Sequence, residues 1–234
     1  RSVVQNEKRQ GDNAPYGLAD YAILEGLFPA GHPYRHDAIG SMADLNAASV
    51  ADVHAWFKAN YGPNNAVLVL SGDIDVATAK PLVAKYFGDI PSGPTPARFE
   101  APVPRPTGIK RETMYDAVGN ARITRAFAVP GRADAVTPLL DVAATIIAGG
   151  SSSRAYNELV RRDQLAVGVS GGVQAFEKVS LLEFQIDVKP GADPAKVAAK
   201  AGEDDPERMT VIFSTYQSIV TLTRAQEAGL PDFD

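Results

Sequence analysis

Cysteine is absent from the 234 residues. That excludes disulfides, thiolate metal sites and cysteine nucleophiles together, and it fits an oxidising compartment without demanding one. Positive charge is not in excess: 23 Lys and Arg stand against 28 Asp and Glu, a net charge of −5. The electrostatic footprint of a nucleic-acid-binding surface is therefore missing, and nucleic acid is disfavoured as a partner. Long hydrophobic runs are missing too. The longest, such as Ala66–Leu70, are strand-length, far below the ~20 residues of a membrane span. Histidines number three. The chain starts Arg1-Ser2-Val3 with neither an initiator Met nor a leader pattern, as expected of a segment from within a longer polypeptide.

What is present is an ordinary globular mixture, 45% hydrophobic and 22% charged, enough for one large or two modest domains. Arg1–Gln10 has weak helical periodicity. Ala19–Leu27 has a better apolar face in Tyr21, Leu24 and Leu27, and Pro29, Gly31 and Pro33 then impose a loop. Asn46 is a candidate N-cap for a helix carrying Val50, Val53, Trp56 and Phe57, stopped at Tyr61-Gly62-Pro63. Ala66–Ser71 is a continuous run of β-formers, the pattern of a buried strand. Asp75 suits the N-cap of a helix reaching Phe87, although Pro81 conflicts with its interior. Pro91–Pro106 holds six prolines and reads as a semi-rigid linker.

Beyond the linker, Arg122–Val129, Val167–Gln174 and Leu181–Val188 are strand candidates. Leu139–Ala148 reads as a largely buried helix, broken by Gly149–Ser153 and restarted over Arg154–Arg162. Asp193 and Pro194 open a further helix as N-cap and first helical residue. Met209–Tyr216 is an apolar, β-rich run.

The chemistry-bearing motifs are sparse. His32 and His36 have the i, i+4 spacing of a helical metal pair. Pro33 drives His32 out of the helical region, so two loop histidines are the simpler reading, and His54 is a surface helix residue. Gly149–Ser153 lacks the spacing and Gly-Lys-Ser/Thr ending of a phosphate loop. Taken alone, Glu7 is an acidic residue on a polar segment, the pattern of a solvated surface group.

Several ordered motifs nevertheless resemble one family, the insulinase/pitrilysin zinc metallopeptidases. Arg1-Ser2-Val3-Val4-Gln5-Asn6-Glu7-Lys8-Arg9 is similar to its helix following the active-site helix. Gly31-His32-Pro33-Tyr34 and Gly40 resemble its HPY-to-Gly loop. Val53-His54-Ala55-Trp56-Phe57, Tyr61-Gly62-Pro63-Asn64-Asn65 and Gly72-Asp73 resemble its helix–YxPxN–strand–GD signature. Tyr86–Pro91 is similar to the end of its first domain. Gly149–Ser153 with Arg154, Tyr156 and Leu159 resembles its second domain's glycine/serine-then-helix signature. The similarity spans about residues 1–200.

This resemblance implies an α+β fold of two similar domains, each an antiparallel-rich sheet with helices packed on it, closing as a clamshell around an extended peptide. The expected division is 1–90, the C-terminal part of a first domain truncated at its N-terminus; 91–106, the linker; 107–202, the start of a second domain; and 203–234, a tail. It implies Zn²⁺ as the parent's cofactor, held by an H-x-x-E-H motif and a distant glutamate, a role that Glu7 matches by its place in the V-V-x-x-E run. No H-x-x-E-H occurs in this chain, so no catalytic residue is assigned, stable zinc binding is not expected, and the chain alone should be inactive. The implied partners are peptide or unfolded protein and a homo- or hetero-oligomeric family partner; the implied location is the bacterial periplasm. Val160 and Val167 stand where some members carry a substrate-touching Arg and Tyr. The alternatives are a noncatalytic structural subunit of the same family and a nucleic-acid helicase fragment. The latter rests on Asp205–Ile219, which resembles a strand–helix piece of superfamily 2 helicases, without a Walker lysine or DEAH box.

Overall fold

A computed structural model of the chain describes residues 1–105 and 108–201, and the backbone of 209–214. The helicase-like reading of 203–234 therefore lies largely outside the described residues, as do Pro106 and the point near residue 202 where the tail begins. The described chain forms two compact units, one comprising Arg1 and Ser41–Phe99, the other Ser2–Gly40 and the residues from Glu100 onward.

The first of these units is helical: α3 (Met42–Ala47), α4 (Val50–Asn60) and α5 (Val76–Phe87), with a short 3₁₀ turn at Pro63–Asn65. The N-cap of α4 is Ser49, not Asn46, which lies inside α3. Ser49 Oγ accepts from the Asp52 amide while the Asp52 carboxylate accepts from the Ser49 amide, a reciprocal capping box. Ser49→Ala should destabilise α4 by about 1 kcal/mol, read as faster amide exchange at residues 50–53. Asp75 caps α5 as expected, accepting from the Thr78 amide at 2.7 Å, and Pro81 is accommodated within that helix. The strand expected at Ala66–Ser71 does not form. The segment is extended, but no described strand lies beside it to complete a hydrogen-bonded ladder. Val67 and Val69 are 91% and 79% exposed, and no side chain larger than glycine is buried in this unit.

The other unit is a mixed sheet with helices on both faces. Its strands are β1 (Lys110–Tyr115), β2 (Arg122–Pro130), β3 (Ala166–Gln174), β4 (Val179–Val188) and β5 (Met209–Ser214), in the order β1-β5-β2-β4-β3. Every pairing is antiparallel except β1 with β5. The α+β, antiparallel-rich class expected from the sequence is the one observed. β1 was not foreseen: Lys110-Arg111-Glu112-Thr113 carries too little apolar alternation to signal a strand. The helices are α1 (Ser2–Asp12), α2 (Ala19–Leu27), α6 (Thr137–Ala148) and α7 (Pro194–Lys200).

Cross-strand register decides which residues share a face. Ile123 opposes Ile186 and Arg125 opposes Phe184, and on this side Leu159, Val197 and Ala198 complete a core with Ile123 fully buried. On the other side Ala126 opposes Glu183, and α2 lays Ala19 and Ile23 against Ala126. Farther along, Phe28 packs with Val179, Leu181 and Ala101. Arg125 is buried, and its guanidinium donates to the carbonyls of Ala198 (2.8 Å) and Ala201 (2.6 Å). It thereby satisfies the C-terminal carbonyls of α7, which is opened by Asp193 accepting from the Ala195 amide.

One expectation for this unit needs correction, and one helix forms where expected but with a different winding. α6 is not largely buried: Leu139, Val142, Ile146 and Ile147 are exposed, and only Thr137, Ala144 and Ala148 are covered. One stripe of small residues suffices to seat it on β3 and β4. The helix restarted at Arg154 widens to a π-helix over Tyr156–Arg162, closed by the Asp163 amide donating to the Glu158 carbonyl. Such turns add a residue per loop of chain and so rotate the following side chains relative to an α-helix.

Candidate functional site

Glu7 lies on α1, in the unit that holds the sheet. Its neighbour Lys8 is buried, donating to the Tyr21 hydroxyl (2.8 Å) and Asp12 Oδ1 (3.3 Å), while the Tyr21 hydroxyl donates to Asp12 at 2.8 Å. The Tyr21 hydroxyl, more than Asp12, holds the Lys8 ammonium above its ordinary range. This triad pins α1 to α2 and leaves Glu7 on the outer turn, exposed, with no hydrogen bond or ion pair to another described residue. Glu7 lines a cavity of about 320 Å³ together with Gly11, Gly17, Asp20, Asp37 and Ile39.

The histidines do not join it. His32 is buried in the loop after α2. It stacks on Phe28 with ring centroids 4.6 Å apart, its Nδ1 accepts from the Tyr34 amide (3.1 Å), and its Nε2 lies 3.0 Å from the Pro102 carbonyl. With Nδ1 accepting and a carbonyl at Nε2, the ring is the neutral Nε2–H tautomer, and both nitrogens are committed. His36 lies beside Asp37, with Nδ1 3.0 Å from that residue's carbonyl. His54 is exposed on α4. The loop-histidine reading of His32 and His36 is thus the one the backbone gives. Gly31 and Gly40 bracket this loop at φ +81° and +74°, where a side chain would be strained.

A zinc ion needs three or four converging protein donors. Among the described residues no group of three His, Cys, Asp or Glu can hold a metal. The described donor set does not fit zinc, and Glu7 contributes one carboxylate where three ligands are required.

The π-helix and β3 frame the two valine positions. Val160 is half-buried against the core cluster around Leu159 and Ile186. Val167 sits at a bulge, where the β3–β4 register shifts between Ala166 and Gly168, and is 48% exposed. An extra residue in one strand turns its side chain out of the pleat. β3 is the edge strand on this side, bonded to β4 alone among the described strands. On the sheet face shared with α2, Ser170, Gly172, Gln174, Glu183 and Gln185 line a shallow groove.

Three carboxylates were missed from the sequence. Asp20 (α2), Asp37 (loop) and Glu183 (β4) line one cavity of about 250 Å³ with His36, Tyr34 and Phe176. Burial, reinforced by the Asp20 charge, raises the Glu183 carboxyl to about 7. Burial and then the Asp37 charge raise Asp20 as well. No local pattern signals this, because the three meet only through tertiary packing.

Among known proteins, the zinc protease PqqE of Helicobacter pylori is 27% identical over 173 residues, covering 71% of this chain and 38% of that protein. The chain spans less than half the length of the curated relatives it matches. The crystal structure of a protease from Helicobacter pylori superimposes with TM-score 0.73 at 20% identity, covering 99% of this chain and 52% of the other. The first half of the periplasmic protease PqqL from Escherichia coli superimposes with TM-score 0.58 at 17% identity, over 80% and 41% of the two chains. The fold is that of M16-like peptidases, and residues 47–203 match the family model described as the peptidase M16 inactive domain, so the chain belongs to that insulinase-like peptidase family.

Proposed function

We propose that this chain is the noncatalytic portion of a zinc-dependent metalloendopeptidase, engaging extended peptide for a catalytic half that carries H-x-x-E-H. The supporting observation is the match of residues 47–203 to an inactive peptidase domain in a sequence without that motif. In this reading 1–90 is the end of a first peptidase domain, 91–106 its linker and 107–202 the start of a second, with Glu7 the carboxylate donor to the parent's Zn²⁺. The chain's partners are unfolded peptide and a family subunit. The periplasm is its compartment, by analogy with a structural neighbour described as periplasmic. No described helix is long and apolar enough to cross a membrane.

The contact offered to peptide is the outer edge of β3, where backbone groups beyond the β4 ladder suit addition of an extended strand. The bulge at Val167 bounds such pairing at one end, and at the other the Val173 amide is already taken by Asp141 Oδ1 (3.3 Å), which leaves the Gly168–Gly172 stretch. Valine at 160 and 167 supplies no donor to a developing oxyanion, in keeping with holding rather than cleaving. The helicase-like reading of 203–234 gains nothing from the comparisons; β5, the described piece of that tail, is a strand in the sheet.

The test uses a fluorescent, unstructured peptide with Zn²⁺ present or chelated. Weak binding is expected without cleavage in either condition. Chelator-sensitive turnover by this chain would overturn the reading.

A further inference from the structure

The acidic seam between α2 and β4 is used by neither the zinc reading nor the peptide reading. Glu183 projects from β4 opposite Ala126, on the face that receives α2. Its carboxyl makes no hydrogen bond or ion pair to another described residue and is partly buried. Asp20 faces it from the first turn of α2, and Asp37, His36 and Tyr34 face it from the loop 29–40. Ser170, Gly172 and Gln174 from β3 and Gln185 from β4 itself share its groove, and none carries charge. No lysine or arginine lines either cavity. Asp20 and Asp37 also line the adjoining cavity that contains Glu7 and Lys8, so the seam and the α1 helix share a wall, and Lys8 is the cation on the far side of it.

We propose that this seam is a pH-sensitive latch: with a proton on Glu183, helix α2 and the loop 29–40 lie closed on the sheet, and with Glu183 ionised they lift from it. The physical reason is that three carboxylates around the cavity Glu183 lines, which no lysine or arginine enters, repel one another when all are charged, and ionising the partly buried Glu183 adds a desolvation cost. One proton removes most of both. Apolar contacts of Ala19 and Ile23 with Ala126, and of Phe28 with Val179 and Leu181, supply the closing force in either state.

The sign follows from the direction of the shift. Burial and Asp20 raise Glu183 from 4.5 to about 7 in the closed form, and a lifted, hydrated Glu183 returns to the ordinary carboxylate range. Closure is therefore fully favoured below pH ~4.5, weakens by up to tenfold per pH unit above it, and levels off above ~7. Because α1 is pinned to α2 through Lys8, Tyr21 and Asp12, lifting α2 carries Glu7 with it. The proposal concerns the seam alone and holds whether or not Glu7 is a metal donor.

The test is amide exchange of the full chain at pH 5 and pH 8, corrected for the intrinsic pH dependence of exchange. The peptide covering residues 18–28 should open between tenfold and a hundredfold more at pH 8, and strands β2 and β4 should change far less. Glu183→Gln should abolish the difference by holding the latch closed. Asp20→Asn, which removes the repelling charge, should shift the transition to lower pH and serves as the second arm if Glu183→Gln folds poorly. Equal protection of 18–28 at both pH values, or an undiminished response in both variants, would overturn the latch. Uniform loss of protection across the sheet would overturn it equally, because that is global destabilisation.

Discussion

Gly131→Ala is expected to lower the unfolding midpoint of the sheet-bearing unit by roughly 10 °C, equivalent to about 3 kcal/mol. Gly131 follows the last residue of β2 and crosses the turn that leads into β4. A β-carbon built there would stand 2.2 Å from the Glu177 carbonyl oxygen and 2.8 Å from two backbone carbons. Those atoms are main chain and cannot swing aside. Their positions are fixed by the Arg132 amide donating to the Phe176 carbonyl (2.8 Å), and the Gly131 carbonyl accepts in turn from the Thr137 hydroxyl (2.9 Å). Relieving the clash must therefore break the crossing that joins β2, the start of α6 and the β3–β4 turn. Gly172→Ala is the matched control. It lies in β3, nothing stands within 4 Å of its added carbon, and its midpoint should move by no more than a degree or two. Thermal unfolding followed by far-ultraviolet circular dichroism separates the two; equal behaviour of the variants would refute the assignment of Gly131 as a packing point.

Most of the sheet-bearing unit was legible because its signals are local. Asp193-Pro194 announces a helix start whatever surrounds it, and the apolar content of Arg122–Val129 and Leu181–Val188 fits buried strands. Ala66–Ser71 shows the opposite limit. Its residues are better β-formers than those of β1, yet β1 is a strand because β5 lies beside it, whereas Ala66–Ser71 has no described partner. Strand identity belongs to a pair of segments, and one sequence window carries only half of that information. The N-cap of α4 was misread for a different reason. Asn46 and Ser49 are both good caps, and only Ser49 has an acidic residue three positions on to close the box. That signal is local and present in the sequence. The Asp20–Asp37–Glu183 seam left no trace, since it joins residues more than 140 positions apart through register and helix docking. Glu7 is the converse case, conspicuous only by resemblance: its spacing says nothing, and among the described residues no group of three donors that could hold a metal forms around it.

That isolation fixes the last expectation. Titrated with Zn²⁺, this chain should show no saturable binding below about 1 mM, since one exposed carboxylate competes poorly with water for the ion, whereas a complete donor set gains on the order of 10 kcal/mol. Glu7→Gln in the same chain should leave the titration unchanged. The outcome should differ in the longer polypeptide that the resemblance implies, where two imidazoles from an H-x-x-E-H segment join the carboxylate. There Glu7→Gln removes a direct donor, and the loss of zinc affinity should exceed the 10–100-fold that follows removal of a merely supporting group. The contrast isolates the role of the side chain, because α1 is anchored through Lys8, Tyr21 and Asp12 and an uncharged isostere at 7 disturbs none of those bonds. Equal circular-dichroism spectra and unfolding midpoints for the two forms would establish that directly. Metal content by atomic emission after dialysis then reads the donor role alone. Full zinc occupancy in the longer Glu7→Gln polypeptide would remove Glu7 from the metal site, and micromolar zinc binding by the present chain would overturn the expectation that its own donors are too few.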